Sequence, residues 1–298
     1  MSNQAPQSLL NVALSIKNIR QSEVILPIAR LQAMVSSLLL GDHTSLKTAL
    51  ISPQLYDREM IKCIHNHTTI LGVQEESGKE IKYSYDDLTS KISNIDKVCL
   101  IWALFKSTYN TLGKREVQCN KCKSKNEYLI TLDELIQEDT FTVWPSELPH
   151  FTEYTHTIEV PYDNNYVYIF DTFIPSIQRN NQILGMITIE KLQENLETNS
   201  VLSSSEQLGV VVKKLTIKQD DKVLASSSNL IDILAVLDAA IPSEVSEDVQ
   251  DKYNKEFNKY QPKFYTNLGC SCGNSIKHTI DIESDFFRRA LLGRETSR

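Results

Sequence analysis

The sequence predicts an α+β protein with helical parts, two β-hairpins that carry cysteine pairs, and an internal duplication. Three observations predict this class. Apolar residues at helical spacing alternate with short strand-like runs along the 298 residues. Cys119 and Cys122 lie between two such runs, and Cys270 and Cys272 lie between two similar runs much later in the chain.

The two cysteine segments can be aligned on the second cysteine of each pair. The alignment then matches four pairs of residues of related character: Tyr128 with His278, Ile130 with Ile280, Leu132 with Ile282, and Asp133 with Glu283. This pattern predicts a zinc-knuckle hairpin that occurs twice. Four thiolates complete a tetrahedral zinc site, which is structural because no position remains open for a substrate. We therefore predict that one Zn²⁺ is bound by Cys119, Cys122, Cys270 and Cys272.

The spacing of the cysteines leaves alternatives open. Cys-x-x-Cys is usual for a knuckle, whereas the Cys-x-Cys at 270–272 is shorter, and 147 residues separate Cys122 from Cys270. That separation exceeds the spacing of common zinc fingers and ribbons. The pairs could instead be two unrelated reduced turns. A redox role for Cys-x-x-Cys is less favoured, because no βαβ pattern surrounds it.

Composition indicates an ordinary globular protein. The chain is 41% hydrophobic and 23% charged, and its net charge of −7 argues weakly against a large phosphate-binding surface. Its length suggests two domains. We place the boundary at the proline-containing stretch 144–149, which gives domains 1–150 and 151–298. We expect no secretory signal, because a basic region followed by an apolar run is missing, and no membrane span, because no apolar stretch approaches about 20 residues. The cysteine usage fits a reducing cytosol.

The first half is predicted to be mainly helical up to its hairpin. Leu31, Met34, Val35, Leu38 and Leu39 follow helical spacing. The predicted helices cover residues 29–40, 46–51, 57–65 and 85–92, followed by a strongly apolar helix that ends near Gly113. Residues 80–85 are a candidate strand, Ser93 and its neighbours are a candidate N-cap, and 133–138 form a short helical turn.

The second half is predicted to open with strands and then to repeat the sequence of helices and hairpin. Its predicted hairpins pair 154–160 with 166–170 and 210–217 with 223–226, and its predicted helices cover 188–197, 230–237 and 244–260. Because each half ends in helices followed by a cysteine hairpin, the order indicates an internal duplication. Near the end of the chain, Phe286 and Phe287 either fill the core or anchor a partner.

Cys63, His65 and His67 stand at alternate positions and could chelate a metal if the segment were a strand. The pattern before them favours a helix instead. Recruitment of His65 or His67 to the cysteine site remains an alternative. No nucleophile elbow, His-Glu-x-x-His or P-loop is found, and we expect no enzymatic activity.

Several short motifs follow one another along the chain. They are Leu26-Pro27-Ile28, Thr108-Tyr109-Asn110, the Cys119–Cys122 pair with the run from Ile130 to Leu135, the Cys-x-Cys-Gly hairpin, and Asp285-Phe286-Phe287. Together they resemble the motifs of the baseplate hub assembly proteins of T-even-like contractile-tailed phages. The resemblance implies a non-enzymatic hub component or hub assembly factor. It further implies baseplate or hub proteins as partners, and a location in the host cytoplasm during assembly or in the virion tail baseplate. No membrane association is expected, because no apolar run is long enough to span a bilayer.

A zinc-ribbon protein that binds nucleic acid is the alternative. That class predicts basic residues around the knuckles. The first hairpin has such a cluster, made of Lys114, Arg115, Lys121, Lys123 and Lys125, whereas the second has only Lys263 and Lys277 nearby.

Overall fold

The computed structural model describes residues 20–49, 53–71, 80–137, 142–163, 165–186, 202–220 and 222–286. The predicted helix 188–197 and Phe287 lie outside these ranges. Helices and antiparallel sheets are both present, so the predicted α+β class is confirmed. None of the helices in these ranges is long and apolar enough to cross a membrane.

The first half has seven strands and four helices among the described residues, and six of the strands come before the end of its cysteine hairpin. In order they are β1 Gln21–Leu26, β2 Leu31–Ser36, α1 Leu40–Thr48, α2 Pro53–His67, β3 Thr68–Leu71, β4 Glu80–Ile81, α3 Tyr85–Lys91, α4 Asn94–Thr108, β5 Thr111–Gln118 and β6 Lys125–Thr131. A 3-10 turn, Leu132–Glu134, and the short strand β7, Ile136–Gln137, follow.

The second half has strands and helices of the same kinds. They are β8 His156–Tyr162, β9 Tyr166–Thr172, α5 Ile177–Leu184, α6 Ser204–Val211, β10 Val212–Gln219, β11 Lys222–Ser227, α7 Leu230–Ala239, α8 Ser243–Phe257, β12 Phe264–Gly269 and β13 Ser275–Ile280.

The order of elements therefore repeats in the described parts of the two halves. Each half runs strand-strand, helix-helix, strand-strand, helix-helix and then a β-hairpin, which in the first half is followed by the 3-10 turn and β7. The first four strands of each half form an antiparallel sheet in sequential order, β1-β2-β3-β4 and β8-β9-β10-β11. In both halves the second helix passes directly into the third strand, at His67–Thr68 and at Val211–Val212. The predicted duplication is thus visible in the order of the elements.

The predicted helix at 29–40 is wrong, because Leu31–Ser36 forms strand β2. This strand lies between β1 and β3, and none of its six residues is exposed, so neither of its faces is open to solvent. A strand that is apolar on both faces need not alternate in sequence, and its spacing can imitate that of a helix. The helix predicted at 46–51 instead begins at Leu40 and ends at Thr48.

Two apolar clusters form the core. The first joins the β1–β4 sheet, α2, α4 and both cysteine hairpins, and the second surrounds the β8–β11 sheet, α6, α7 and α8. Phe264 of β12 packs on Trp102 of α4 at 4.9 Å between ring centroids. Phe286 is fully buried against Phe105 and Tyr109, so it fills this protein's own core. The boundary near residue 150 stays a prediction, and the packing of the second hairpin crosses it.

Helix α4 begins with a buried cap. The Ser93 hydroxyl accepts from the Asp96 N–H at 3.0 Å, and Asp96 Oδ2 accepts from the Ser93 N–H at 3.2 Å. The same carboxylate accepts from the N–H groups of Ile28 and Ala29, at 2.9 and 3.1 Å, in the turn between β1 and β2. Burial raises the pKa of Asp96 to about 6, against the opposing effect of these hydrogen bonds. One side chain thus fixes the helix start to the sheet.

Candidate metal centre

The two hairpins that carry the cysteine pairs have the same register. In the first, Arg115 lies opposite Tyr128, and in the second, Thr266 lies opposite His278. In the strand after the cysteines, each residue of the first hairpin corresponds to the residue 150 positions later in the second. In the strand before the cysteines, the corresponding residue lies 151 positions later. The single difference is the residue missing between Cys270 and Cys272. The sequence alignment on the second cysteines therefore holds in three dimensions.

The turns are closed by equivalent backbone hydrogen bonds. The Cys119 N–H donates to the Ser124 carbonyl at 2.8 Å, and the Cys270 N–H donates to the Asn274 carbonyl at 2.9 Å. These bonds turn the backbone back on itself directly at the cysteines. Each turn consequently presents two sulfur atoms at its tip.

The residue after the second cysteine has a positive φ in both turns. The angle is 61° at Lys123 and 78° at Gly273. Its N–H donates to the carbonyl of the first cysteine at 2.9 Å in each case. Glycine adopts this conformation without strain, whereas lysine does so at a cost. The two turns thus share one backbone form in spite of their different lengths.

The four sulfur atoms of Cys119, Cys122, Cys270 and Cys272 lie within 4.8 Å of one another. Across the hairpins, the Sγ atoms of Cys119 and Cys272 are 3.8 Å apart, and those of Cys122 and Cys270 are 3.6 Å apart. Sulfur atoms bound at about 2.3 Å to a tetrahedral zinc ion are separated by about 3.8 Å. The four cysteines therefore cluster at distances that fit a metal ion such as zinc.

Polar side chains from each hairpin approach the sulfurs of the other. Asn126 of the first hairpin points its Nδ2 at the Cys270 sulfur, at 3.6 Å, and Asn274 of the second points its Nδ2 at the Cys119 sulfur, at 3.5 Å. Amide donors of this kind stabilise thiolates and orient metal ligands. Neither asparagine was among the site residues predicted from the sequence. Their positions shortly after the cysteine pairs were the available signal.

The thiols of the cluster differ in acidity. The N–H of Cys122 lowers the pKa of Cys119, and the N–H of Cys272 with the Ser124 hydroxyl lowers the pKa of Cys270 to about 6. For Cys272, the N–H of Asn274 acts to lower the pKa, but the Cys270 sulfur, burial and the remaining thiols raise it to about 12. Closely spaced thiols cannot all ionise unless a cation balances them, and a metal ion supplies that charge.

The remaining two cysteines lie in the apolar core. Burial raises the pKa of Cys63 to about 12 and raises that of Cys99 well above its usual range. Both side chains are at most 3% exposed. Buried thiols of high pKa are unreactive and poor metal ligands. The structure thus separates the six cysteines into a cluster of four and two core residues.

His65 and His67 do not join the cysteine cluster, and Cys63, His65 and His67 lie in helix α2. The His65 Nε2 atom is 2.9 Å from the carbonyl oxygen of Tyr83. His67 lies between Ser36 and Asp42, with Nδ1 3.1 Å from the Ser36 hydroxyl and Nε2 2.9 Å from the Asp42 carboxylate. A serine, a histidine and an aspartate in contact also form the catalytic triad of some hydrolases. Here, however, Ser36 and His67 are only 9% and 4% exposed, so a substrate could hardly reach them. Their hydrogen bonds connect α1, α2 and β2.

Carboxylates neutralise much of the basic cluster at the first hairpin. Lys114 pairs with Glu127 at 2.6 Å, and Lys125 pairs with Glu116 at 2.8 Å. Arg115 pairs with Asp285, which lies beyond the second hairpin. Lys121 and Lys123 are exposed at the turn. The cluster therefore serves mainly to join strands within and between the hairpins.

Comparisons with protein-family models, with curated proteins and with solved structures find no match. The fold and the site together define a mixed α+β protein with a repeated order of elements. A cluster of four cysteines joins the last hairpin of one half to that of the other.

Proposed function

We propose that the four cysteines bind one structural zinc ion, and that the chain is a non-enzymatic component or assembly factor of a phage tail baseplate hub. The observation that carries the zinc proposal is the separation of the sulfurs across the two hairpins, 3.8 and 3.6 Å. With four thiolates on the ion, no coordination position is left for a substrate. The ion would act as a clamp between the two halves.

The hub role is supported by the motifs that resemble baseplate hub assembly proteins. Of these, Phe286 packs into the core and Asp285 binds Arg115 of the first hairpin. Both residues therefore help to hold the second hairpin against the first half. The proposed partners are other baseplate or hub proteins, and the proposed location is the host cytoplasm during assembly or the virion tail.

Binding of nucleic acid is the second candidate function, supported by the exposed Lys121 and Lys123 at the tip of the first hairpin. The ion pairs of Lys114, Arg115 and Lys125 count against it, because paired cations have less charge to offer to phosphates. Steeply salt-dependent binding to DNA or RNA would favour this candidate over the hub role.

Metal analysis of the purified chain tests the zinc proposal. We expect about one zinc per chain, since four thiolates make one closed site. Cys122→Ser and Cys272→Ser should each lower metal content and stability, and the double variant should lose little more than either. Cys99→Ala is the matched control, because this buried thiol lies outside the cluster and its loss should leave metal content unchanged.

Two results would contradict the proposal. One is less than half an equivalent of zinc together with unchanged stability in chelator. The other is one equivalent of iron in place of zinc, since tetrahedral sulfur sites also suit iron. The hub role has its own test: co-expression with baseplate hub proteins should give co-purification, and a purified chain that associates with none of them would count against it.

A further inference from the structure

A groove lies beside strand β12, and none of the four clustered cysteines lines it. Its volume is about 590 Å³. Tyr128 and Leu129 of β6 form one wall, Asp133 and Glu134 form one end, and residues 266–269 of β12 form the other wall. The groove thus lies between the two hairpins and is bounded by a strand edge.

The hydrogen-bonding order of β12 shows which backbone groups face this groove. The Cys270 N–H bonds to Asn274, and bonded and non-bonded pairs alternate along an antiparallel ladder. Thr266 and Leu268 therefore bond to β13, while Asn267 and Gly269 direct their N–H and C=O groups to the opposite edge.

That opposite edge is only partly covered. Strand β7 pairs with β12 at Phe264 and Tyr265 alone. Beyond it, the Tyr128 hydroxyl donates to the Gly269 carbonyl at 3.1 Å. Within the described ranges, the N–H and C=O of Asn267 and the N–H of Gly269 have no protein partner, and both residues are exposed. An edge of this kind is a template for an added strand.

The walls of the groove indicate what the added strand would carry. Leu129 is 58% exposed, which offers an apolar contact. Asp133 and Glu134 are exposed, and neither has a cationic partner among the residues that the structure describes. The chain as a whole has a net charge of −7. Backbone donors and acceptors, an apolar side chain and two carboxylates together fit an extended basic segment.

We propose that this groove binds an extended, lysine- or arginine-containing segment of a partner protein, which adds to the edge of β12. Main-chain hydrogen bonds to Asn267 and Gly269 would supply affinity, and cationic side chains beside Asp133 and Glu134 would supply selectivity. The four residues 266–269 offer about 13 Å of strand edge, at about 3.3 Å per residue. The proposal goes beyond the zinc clamp and depends on different residues.

The repeated hairpin supplies a matched control position. By register, Glu116 of β5 corresponds to Asn267 of β12, and it lies opposite Glu127 as Asn267 lies opposite Lys277. Glu116 is bound to Lys125, and its neighbour Arg115 is bound to Asp285. Glu116 does not line the groove. A change there disturbs an equivalent edge strand without touching the proposed site.

The test uses the full-length, metal-loaded chain and a fluorescein-labelled nonapeptide that alternates lysine with threonine and valine. We expect saturable binding by fluorescence anisotropy. Asn267→Pro removes the N–H at an edge position where proline is tolerated, and it should weaken binding at least about tenfold. Glu116→Pro should leave binding unchanged. Asp133→Asn combined with Glu134→Gln should weaken binding and flatten its salt dependence.

A peptide of the same sequence, methylated on alternate backbone nitrogens, should not bind, because it cannot complete the ladder. Equal binding of the methylated peptide, equal binding by Asn267→Pro, or no saturation up to about 1 mM would overturn the proposal. If Asn267→Pro fails to fold, amide hydrogen exchange of the wild-type chain decides instead. The Asn267 and Gly269 amides should gain protection when the peptide is added, and unchanged exchange would overturn the proposal. Metal content of the same samples reports on the zinc clamp independently.

Discussion

Replacing Asp96 with alanine tests whether one buried carboxylate holds the turn between β1 and β2 against α4. Asp96 and Ser93 are fully buried, and Ile28 is 1% exposed. The variant leaves the N–H groups of Ile28 and Ser93 buried without an acceptor. The Ser93 hydroxyl also loses Asp96 as its acceptor, although it still caps the helix by accepting from the N–H of residue 96. Each of these three buried donors costs about 1 kcal/mol or more. We expect the free energy of unfolding to fall by about 3 kcal/mol at pH 7.

Urea denaturation followed by circular dichroism measures this loss. Asp87→Ala is the matched control, because Asp87 occupies the same third position of helix α3 behind the cap Ser84. Its carboxylate is exposed, accepts from the Ser84 hydroxyl and pairs with Lys91 of the same helix. We expect a clearly smaller loss for the control. Equal losses in the two variants, or a loss below about 1 kcal/mol for Asp96→Ala, would refute the reasoning.

Three further predictions follow from described contacts. Burial raises the pKa of Asp96 from 3.8 to about 6, so its native state holds the proton more tightly, and the stability that it confers grows as pH falls. The free energy of unfolding from urea titrations should therefore differ between wild type and Asp96→Ala by about 2–3 kcal/mol more at pH 4 than at pH 7. A smaller difference at pH 4 than at pH 7 would contradict this prediction. Phe286→Ala should lower the free energy of unfolding by about 3–5 kcal/mol in the same assay, because the ring is fully buried. A loss no larger than that of an ordinary surface substitution would show that the ring does not fill the core. Because Lys123 and Gly273 both have positive φ, Lys123→Gly should raise the thermal midpoint and Gly273→Ala should lower it, each by an amount that corresponds to about 1 kcal/mol. If Lys123→Gly lowered the midpoint and Gly273→Ala raised it, the two turns would not be equivalent.

The local parts of the fold could be predicted from the sequence. The start of α4 was recognisable from Ser93, since a serine before an apolar helical run is a common cap. The two cysteine hairpins were recognisable from strand-like runs on either side of short turns. Their shared register was visible because the residues after the cysteines alternate in the same way.

Features that depend on distant parts of the chain could not be predicted in this way. The apolar residues of Leu31–Ser36 follow helical spacing, but the segment forms a strand because it pairs with distant strands of its sheet, such as β3. The local sequence does not show that pairing. The contact of Asp96 with the turn at Ile28 spans 68 positions and has no local signature. For the candidate site, the similarity of the two cysteine hairpins predicted which residues come together. The approach of Asn126 and Asn274 to the sulfurs depends on how the hairpins face each other.

The separation of the cysteine pairs along the chain has a consequence for synthesis. A ribosome that adds about 5–20 residues per second needs about 7–30 s to make the 147 residues between Cys122 and Cys270. Throughout that interval the first pair has no second pair with which to form the cluster of four sulfurs. The first apolar cluster also lacks Phe264, Ile276 and Phe286 until residues 264–286 have left the ribosome. The half of the protein that is made first is thus the half that must wait longest to be finished.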